Sequence, residues 1–129
     1  MQVYYFTRTG RSKQVAEELA ERYETKAQEI ADDVNWQGAM GYLKAGYESF
    51  KKETRPARYN KPTADEELIL VFPVWAGTFP PAVRNFLERE GRAKVICMPT
   101  SIGSKLNDRD GFVKVIDLVG KTITTPESI

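Results

Sequence analysis

The sequence predicts an α/β fold in which buried parallel strands alternate with amphipathic helices. Three short apolar runs contain the aromatic and β-branched residues that are typical of central strands in a parallel sheet. They are Val3 to Phe6, Leu68 to Phe72 and Ala93 to Met98. Each run ends in a turn rich in glycine, proline or hydroxyl-bearing residues. After the first two turns, apolar residues recur at the spacing of a helix that buries one face.

Composition restricts the chain to a few classes of protein. Its 129 residues, 41% hydrophobic and 29% charged, predict a single domain spanning residues 1–129. Nineteen basic and eighteen acidic residues leave a net charge of +1, so no overall field attracts nucleic acid or an anionic membrane. The lack of histidine excludes His-based triads and His metal sites. We expect the single cysteine, Cys97, to be a buried core residue of a cytoplasmic protein with neither a signal peptide nor a membrane helix.

The first strand leads into a helix through the turn Thr7 to Ser12. Val15, Leu19 and Tyr23 lie on one face of that predicted helix. A junction of this kind collects free backbone N–H groups at the positive end of the helix dipole, and hydroxyl groups add further donors. The turn therefore predicts an anion site, with phosphate as its natural ligand. The alternative is an ordinary turn in which Ser12 caps the helix.

Three loops have sequences that occur together in one known family. Thr7, Arg8, Thr9, Gly10, Arg11 and Ser12 follow the pattern T/S-x-T-G-x-S/T and resemble the phosphate loop of the flavodoxin family. Pro73, Val74, Trp75, Ala76, Gly77 and Thr78 resemble the loop that lines the flavin ring in short members of the family. Thr100, Ser101, Ile102 and Gly103 stand where the family usually has Thr-Ser-Gly-Gly, so Ile102 is a departure. The resemblance extends from Met1 to about Ser104 and implies that these residues bind FMN.

The resemblance also implies a fold and a function. The fold is a doubly wound three-layer α/β/α sandwich with parallel sheet order 2-1-3-4-5, in which the matched loops surround one crevice. The function is electron transfer through non-covalently bound FMN, to a partner protein or a small-molecule acceptor, without a side-chain acid or base. Two alternatives stay open: an FMN-dependent NAD(P)H:quinone-type reductase, and a flavin-free module that binds another anion. In the latter, Trp75 packs on its own helix and residues 100–103 are a small-residue turn.

Between the first two matched loops, the sequence predicts a strand, a helix and a long loop. The strand is Lys26 to Ile30, and the loop is Glu53 to Glu67. The helix is indicated by apolar residues spaced by four, three, four and three positions, namely Trp36, Met40, Leu43, Tyr47 and Phe50. This stripe favours a helix that covers the sheet. Three glycines within it leave open a close approach by a ligand or a second subunit. A later helix begins at Pro81 and ends near Gly91.

The C-terminal part departs from the family pattern. Lys105 to Gly111 provides only seven residues where the family has a crossover helix. Phe112 to Val119 is predicted as the last strand, without a C-terminal helix after it; the alternative is a helix ending at Gly120, followed by a strand from Thr122 to Thr125. A doubly wound sheet needs cover on both faces. We therefore expect a homodimer, through the bare strand at Phe112 to Val119 or through the aromatic stripe.

Overall fold

Six parallel strands form the central sheet of the computed structural model, which describes residues 1–129. In chain order the elements are β1 (Gln2–Tyr5), α1 (Arg11–Arg22), β2 (Ala27–Glu29), α2 (Gly38–Phe50), β3 (Leu68–Pro73), α3 (Pro81–Glu90), β4 (Val95–Ser101), β5 (Lys114–Val115) and β6 (Leu118–Val119). The sheet order is β2-β1-β3-β4-β5, and β6 also pairs with β4. The predicted doubly wound order 2-1-3-4-5 is confirmed.

The three central strands are buried on both faces, as their continuous apolar sequences predict. Val3 lies beside Ile69, which in turn lies beside Ile96, and all three are at most 2% exposed. The observed strand boundaries differ by one or two residues from the predicted ones in most cases. The exception is β4, which continues three residues beyond Met98 to Ser101 and so carries part of a predicted loop into the sheet.

Helices cover the two faces of the sheet unequally. Leu19 and other residues of α1 pack in a cluster with Val71 on one face. On the other face, Phe86 of α3 packs against Tyr4 with ring centroids 5.5 Å apart. α2 lies on this second side, since its Ala45 belongs to the same cluster as Phe86. None of the three helices combines the length and the apolar character that a membrane crossing requires.

The chain after β4 differs most from the prediction. Residues 112–119 form two short strands rather than one, because Ile116 and Asp117 interrupt the pairing with β4. The interruption lies opposite Pro99 of β4, which has no N–H to donate to this neighbouring strand. Within the interruption, Arg109 donates two hydrogen bonds to the Asp117 carboxylate, at 3.0 and 2.8 Å. The alternative helix ending at Gly120 is wrong, and residues 122–125 form no strand. The crossover contains no helix, which agrees with its short length.

Irregular segments fill the positions that helices occupy in a longer fold. Leu106, in the crossover, is 2% exposed and packs on the α3 side of the sheet. Ile116, Ile123 and Ile129 pack on the α1 side. The tail therefore covers the face of the sheet that we expected to be bare. This removes the main reason for expecting a homodimer through β5 and β6.

Four of the five residues in the predicted apolar stripe face solvent, contrary to the expectation that the stripe covers the sheet. Their exposed fractions are 78% for Met40, 64% for Leu43, 61% for Tyr47 and 72% for Phe50. The fifth residue, Trp36, precedes α2 and is buried. The buried residues of the helix are instead small or acidic, namely Gly41, Ala45, Glu48 and Ser49. The reason is a close approach: a β-carbon at Gly41 would overlap the carbonyl group of Trp36. Only a face of small residues fits against the chain at this point.

Replacing Gly41 by alanine is expected to displace α2 and to lower the free energy of unfolding by about 1 to 3 kcal/mol, because the added methyl group overlaps backbone. Gly46 provides the matched control, since a β-carbon there meets no atom within 4 Å. Gly46→Ala should stabilise the helix by about 0.5 to 1 kcal/mol. Chemical denaturation of the flavin-free protein measures both changes. Equal effects of the two substitutions would contradict the close packing of Gly41.

Glu48 is a buried carboxylate that ties α2 to the loop after it. Both Glu48 oxygens accept hydrogen bonds from the Arg55 guanidinium, at 2.7 and 2.6 Å. These bonds hold the pKa of Glu48 below its ordinary value of 4.5. The folded protein therefore binds this proton less readily than the unfolded chain. The contribution to stability is complete above pH 4.5 and is lost as the pH falls through the lowered pKa.

Glu48→Gln is expected to lower the free energy of unfolding by about 1 to 3 kcal/mol near neutral pH, since it weakens a charge-assisted pair. The difference from the wild type should shrink as the pH falls below 4.5, because the wild-type carboxylate then becomes protonated. Urea denaturation at a series of pH values tests this expectation. A difference that stays constant down to strongly acidic pH would rule out the ionised pair as its cause.

Candidate functional site

The carboxyl ends of β1, β3 and β4 surround a cavity of about 470 Å³. Open α/β sheets bind ligands at this position, where the connections from neighbouring strands leave in opposite directions. Most residues predicted to bind a cofactor line the cavity: Thr7, Arg8, Thr9, Arg11, Ser12, Pro73, Val74, Trp75, Ala76, Thr100, Ser101, Ile102 and Gly103. Gly10, Gly77 and Thr78 do not line it. The three predicted loops thus meet around one space.

The loop Thr7 to Ser12 turns at Gly10, whose φ of +96° lies in the left-handed region that favours glycine. The Gly10 N–H donates to the Thr7 hydroxyl oxygen at 2.9 Å. The Gly10 carbonyl accepts the first helical hydrogen bond, from the Gln14 N–H at 3.0 Å. Ser12 therefore lies inside α1 and does not cap it, so the predicted Ser12 cap is wrong. The first N–H groups of the helix, beginning at Arg11, have no acceptor within it.

Ser12 and Thr100 connect the first loop to the end of β4. Their hydroxyl oxygens lie 2.9 Å apart, and each residue is 2% exposed. The Thr100 hydroxyl also lies 3.4 Å from the Phe72 carbonyl oxygen, to which it donates. This short chain of polar contacts fixes the distance between two walls of the cavity.

Two arginines make the cavity electropositive, and no carboxylate lines it. Arg8 donates from Nε to the Trp36 carbonyl oxygen at 2.7 Å and from Nη2 to the Gly38 carbonyl oxygen at 3.2 Å. Arg11 donates to the Gly120 carbonyl oxygen. These acceptors are neutral, so both positive charges remain uncompensated beside the cavity. The arginines therefore combine two effects: they hold α2 and the tail in place, and they favour an anionic ligand.

The loop after β3 is a tight turn built from two left-handed residues. Ala76 and Gly77 have φ values of +51° and +78°, and Trp75 and Thr78 exchange two backbone hydrogen bonds of 3.0 Å. A β-carbon at Gly77 would lie 2.7 Å from the Asn107 amide nitrogen. The close approach at this glycine is therefore to Asn107 of the crossover, not to the cavity.

The aromatic side chains at the cavity are arranged differently from the prediction. Trp75 is only 9% exposed, because its indole packs against Trp36 at 5.0 Å and against Phe6 at 5.4 Å between ring centroids. Tyr42 of α2 also lines the cavity and is 67% exposed. The guanidinium carbon of Arg8 lies 5.5 Å from the centroid of the Tyr42 ring. Tyr42 is therefore the aromatic ring most openly presented to a ligand.

Four residues outside the predicted set also line the cavity, namely Tyr42, Ala45, Gly46 and Ser104. Three of them belong to α2, whose glycines allow the close approach by a ligand that was one of the two alternatives. The large apolar residues of the stripe lie on the other face of that helix. Tyr42 lies outside the stripe, so helical periodicity alone did not identify it.

Cys97 has no part in the site. It is buried in β4, as predicted, and burial raises the pKa of its thiol to about 12. The reactive thiolate form is therefore scarce near neutral pH. No three or more His, Cys, Asp or Glu side chains are grouped so that they could hold a metal ion.

Comparisons with known proteins establish the fold. The sequence matches no protein-family model and no curated protein sequence. Three crystal structures are similar over nearly their whole length. A flavoprotein of Lactobacillus acidophilus in complex with FMN is 16% identical, with a TM-score of 0.71 and coverage of 92% of this chain and 91% of the other.

Two Bacteroides proteins are similar to the same degree. A candidate flavoprotein of Bacteroides uniformis is 22% identical, with a TM-score of 0.73 and coverage of 94% and 90% of the two chains. A candidate flavoprotein of Bacteroides eggerthii is 19% identical, with a TM-score of 0.74 and coverage of 91% and 86%. Together with the strand order, these likenesses show that the chain has the flavodoxin-like doubly wound fold.

Proposed function

We propose that this protein binds FMN in the cavity and transfers electrons through it. The observation that carries the proposal is the meeting of the Thr7 to Ser12 loop with the loops after β3 and β4 around one space. Its volume of about 470 Å³ lies within the range of roughly 300 to 1,000 Å³ that is usual for cofactor sites. A protein with a similar fold was crystallised with FMN, which supports the same cofactor here.

The residues of the cavity fit the two ends of FMN. The Thr7 to Ser12 loop offers backbone N–H groups at the start of α1, hydroxyl groups and two nearby positive charges, and these suit a phosphate dianion. The cavity is also lined by apolar and aromatic groups, including Val74, Tyr42 and Ile102, which suit a flat ring. Bound FMN would supply the redox chemistry. The chain itself orients the ring and keeps water from its buried edge.

A reductase is the second candidate, and the open cavity mouth favours it. Tyr42 and Ile102, at that mouth, are 67% and 66% exposed. A nicotinamide or a quinone therefore has access to a ring bound between the loops. The electron carrier and the NAD(P)H:quinone-type reductase share the same FMN site and differ only in what donates the electrons. A partner protein or a small-molecule acceptor would take the electrons.

The location that we propose is the cytoplasm. The buried, unpaired Cys97 suits such a reducing compartment.

Titration of the purified protein with FMN tests the proposal, because flavin fluorescence reports binding directly. We expect one FMN per chain. Binding of inorganic phosphate without any binding of FMN would overturn the proposal in favour of a flavin-free anion module. Anaerobic mixing of the FMN complex with NADH and NADPH then separates the two redox functions: bleaching of the flavin absorbance identifies a reductase, and its absence identifies a carrier.

A further inference from the structure

The outer face of α2 is the largest group of exposed apolar side chains in the structure. We call Met40, Leu43, Tyr47 and Phe50 the α2 stripe; they are 61 to 78% exposed. The stripe extends along about 15 Å of helix. Large side chains of this kind carry about 150 to 250 Å² each, so the stripe leaves roughly 500 Å² of apolar surface in water. The largest apolar patch of a typical monomer is about 300 to 600 Å² and is often functional, so a patch of this size marks a candidate contact surface.

The tail of the chain cannot cover the α2 stripe, because it is held on the opposite side of the sheet. Ile123 and Ile129 pack in the cluster that contains α1. The Arg22 guanidinium of α1 donates to the carbonyl oxygens of Pro126 and Glu127. The edge at β5 and β6 is no competing interface, since Val113 and Val119 are its only large apolar residues that are more than 40% exposed.

We propose that the α2 stripe is the interface of a two-fold symmetric homodimer. The middle of the stripe lies between Leu43 and Tyr47. A two-fold axis through this point brings these two residues of one copy against the same two residues of the other. The same apolar patch is then buried on both copies. The two helices then run antiparallel, which is also the favourable orientation of their dipoles.

The area of the stripe agrees with this assignment. A stable interface buries roughly 800 Å² on each partner, of which the central part is apolar and the rim polar. The stripe supplies the apolar part. The polar rim is provided by Lys44 and by Lys51 and Lys52 at the end of the helix, which are exposed.

The stripe itself carries no charge, and this favours a second copy as its partner. The Lys44 ammonium group lies 3.7 Å from the Glu48 carboxylate, so its charge is already compensated within the helix. The Lys51 ammonium group lies 5.8 Å from the centroid of the Tyr47 ring. No charged side chain belongs to the stripe itself. The surface therefore suits an uncharged apolar partner, which a second stripe provides.

The interface also adjoins the cavity, because Tyr42 is on the same helix and lines the cavity wall. Dimerisation would hold α2, and hence Tyr42, against the rest of the domain. This arrangement does not depend on the identity of the ligand, and the test below measures mass rather than flavin binding.

Sedimentation velocity of the full chain tests the dimer. The wild type is expected to sediment with twice the chain mass of 14.6 kDa. Leu43→Glu should weaken association by roughly a hundredfold or more, since it buries two carboxylates in an apolar interface. Leu43 is 64% exposed in the monomer, so this variant should fold normally, as circular dichroism will report. Tyr47→Lys is a second variant with the same expected result.

Val119→Glu is the matched control, because it adds the same charge to an apolar residue of the β6 edge that is 43% exposed. It should leave the dimer intact. A wild type that is monomeric at high micromolar concentration would overturn the proposal. A dimer that is dissociated by Val119→Glu but not by Leu43→Glu would also overturn the proposal. A wild type that is monomeric and sediments with anionic phospholipid vesicles would overturn it as well, since the stripe would then be a membrane contact.

Discussion

FMN is expected to bind to this protein far more tightly than riboflavin, which lacks only the phosphate. The expectation follows from the Thr7 to Ser12 loop, where the first N–H groups of α1 have no acceptor within the helix. A hydrogen bond to a charged group contributes about 1.5 to 3 kcal/mol. Two such bonds amount to roughly 3 to 6 kcal/mol, or a factor of about 100 to 20,000 in affinity.

Fluorescence titration with each flavin measures this ratio. Inorganic phosphate supplies the control: in excess it should weaken the binding of FMN by competing for the loop, and it should leave riboflavin unaffected. Equal affinities for the two flavins would mean that the phosphate does not contact the loop. Competition by phosphate against riboflavin would indicate that the loop contacts the ring end instead.

The second large effect is expected from Gly10→Val, which should lower FMN affinity by roughly a hundredfold or more. Gly10 has a φ of +96°, and a β-branched residue in that region is strained by about 1 to 3 kcal/mol. The loop relieves the strain by changing its conformation. Its N–H groups then no longer converge on the phosphate.

Gly91→Val is the matched control for this substitution. Gly91 also has a positive φ, +82°, and a β-carbon there meets no atom within 4 Å. It follows α3 and does not line the cavity. The control should therefore destabilise the protein without changing FMN affinity. If both variants bound FMN equally well, the left-handed turn at Gly10 would not be needed for the site.

The parts of the fold that the sequence predicted are those that depend on local pattern. Short continuous apolar runs bounded by turns are typical of central strands, and Leu68 to Phe72 is observed within one strand. The glycine of the phosphate-loop pattern, Gly10, is observed with a φ of +96°, a conformation that favours glycine. The predicted cofactor residues lie together because parallel strands carry their following loops to one edge of the sheet.

The parts that could not be predicted depend on contacts between distant segments. Periodicity predicts that α2 has two different faces, but it does not say which one meets the sheet. That choice is made by the close approach of Gly41 to the Trp36 carbonyl. The burial of Trp75 likewise depends on Trp36, which comes from a different loop. The break between β5 and β6 lies opposite Pro99 of β4, which has no N–H to donate across the pair, so its position depends on which residues of the two distant segments face each other.

A crystal structure of the protein soaked or grown with FMN is the most direct test of the central claim, that one cavity holds the whole cofactor. We predict that the phosphate oxygens accept hydrogen bonds from backbone N–H groups of the Thr7 to Ser12 loop. We also predict that the isoalloxazine ring contacts Tyr42 and the loops that contain Val74 and Ile102. FMN bound elsewhere, or with its phosphate directed into solvent and its ring on the Thr7 to Ser12 loop, would contradict the account.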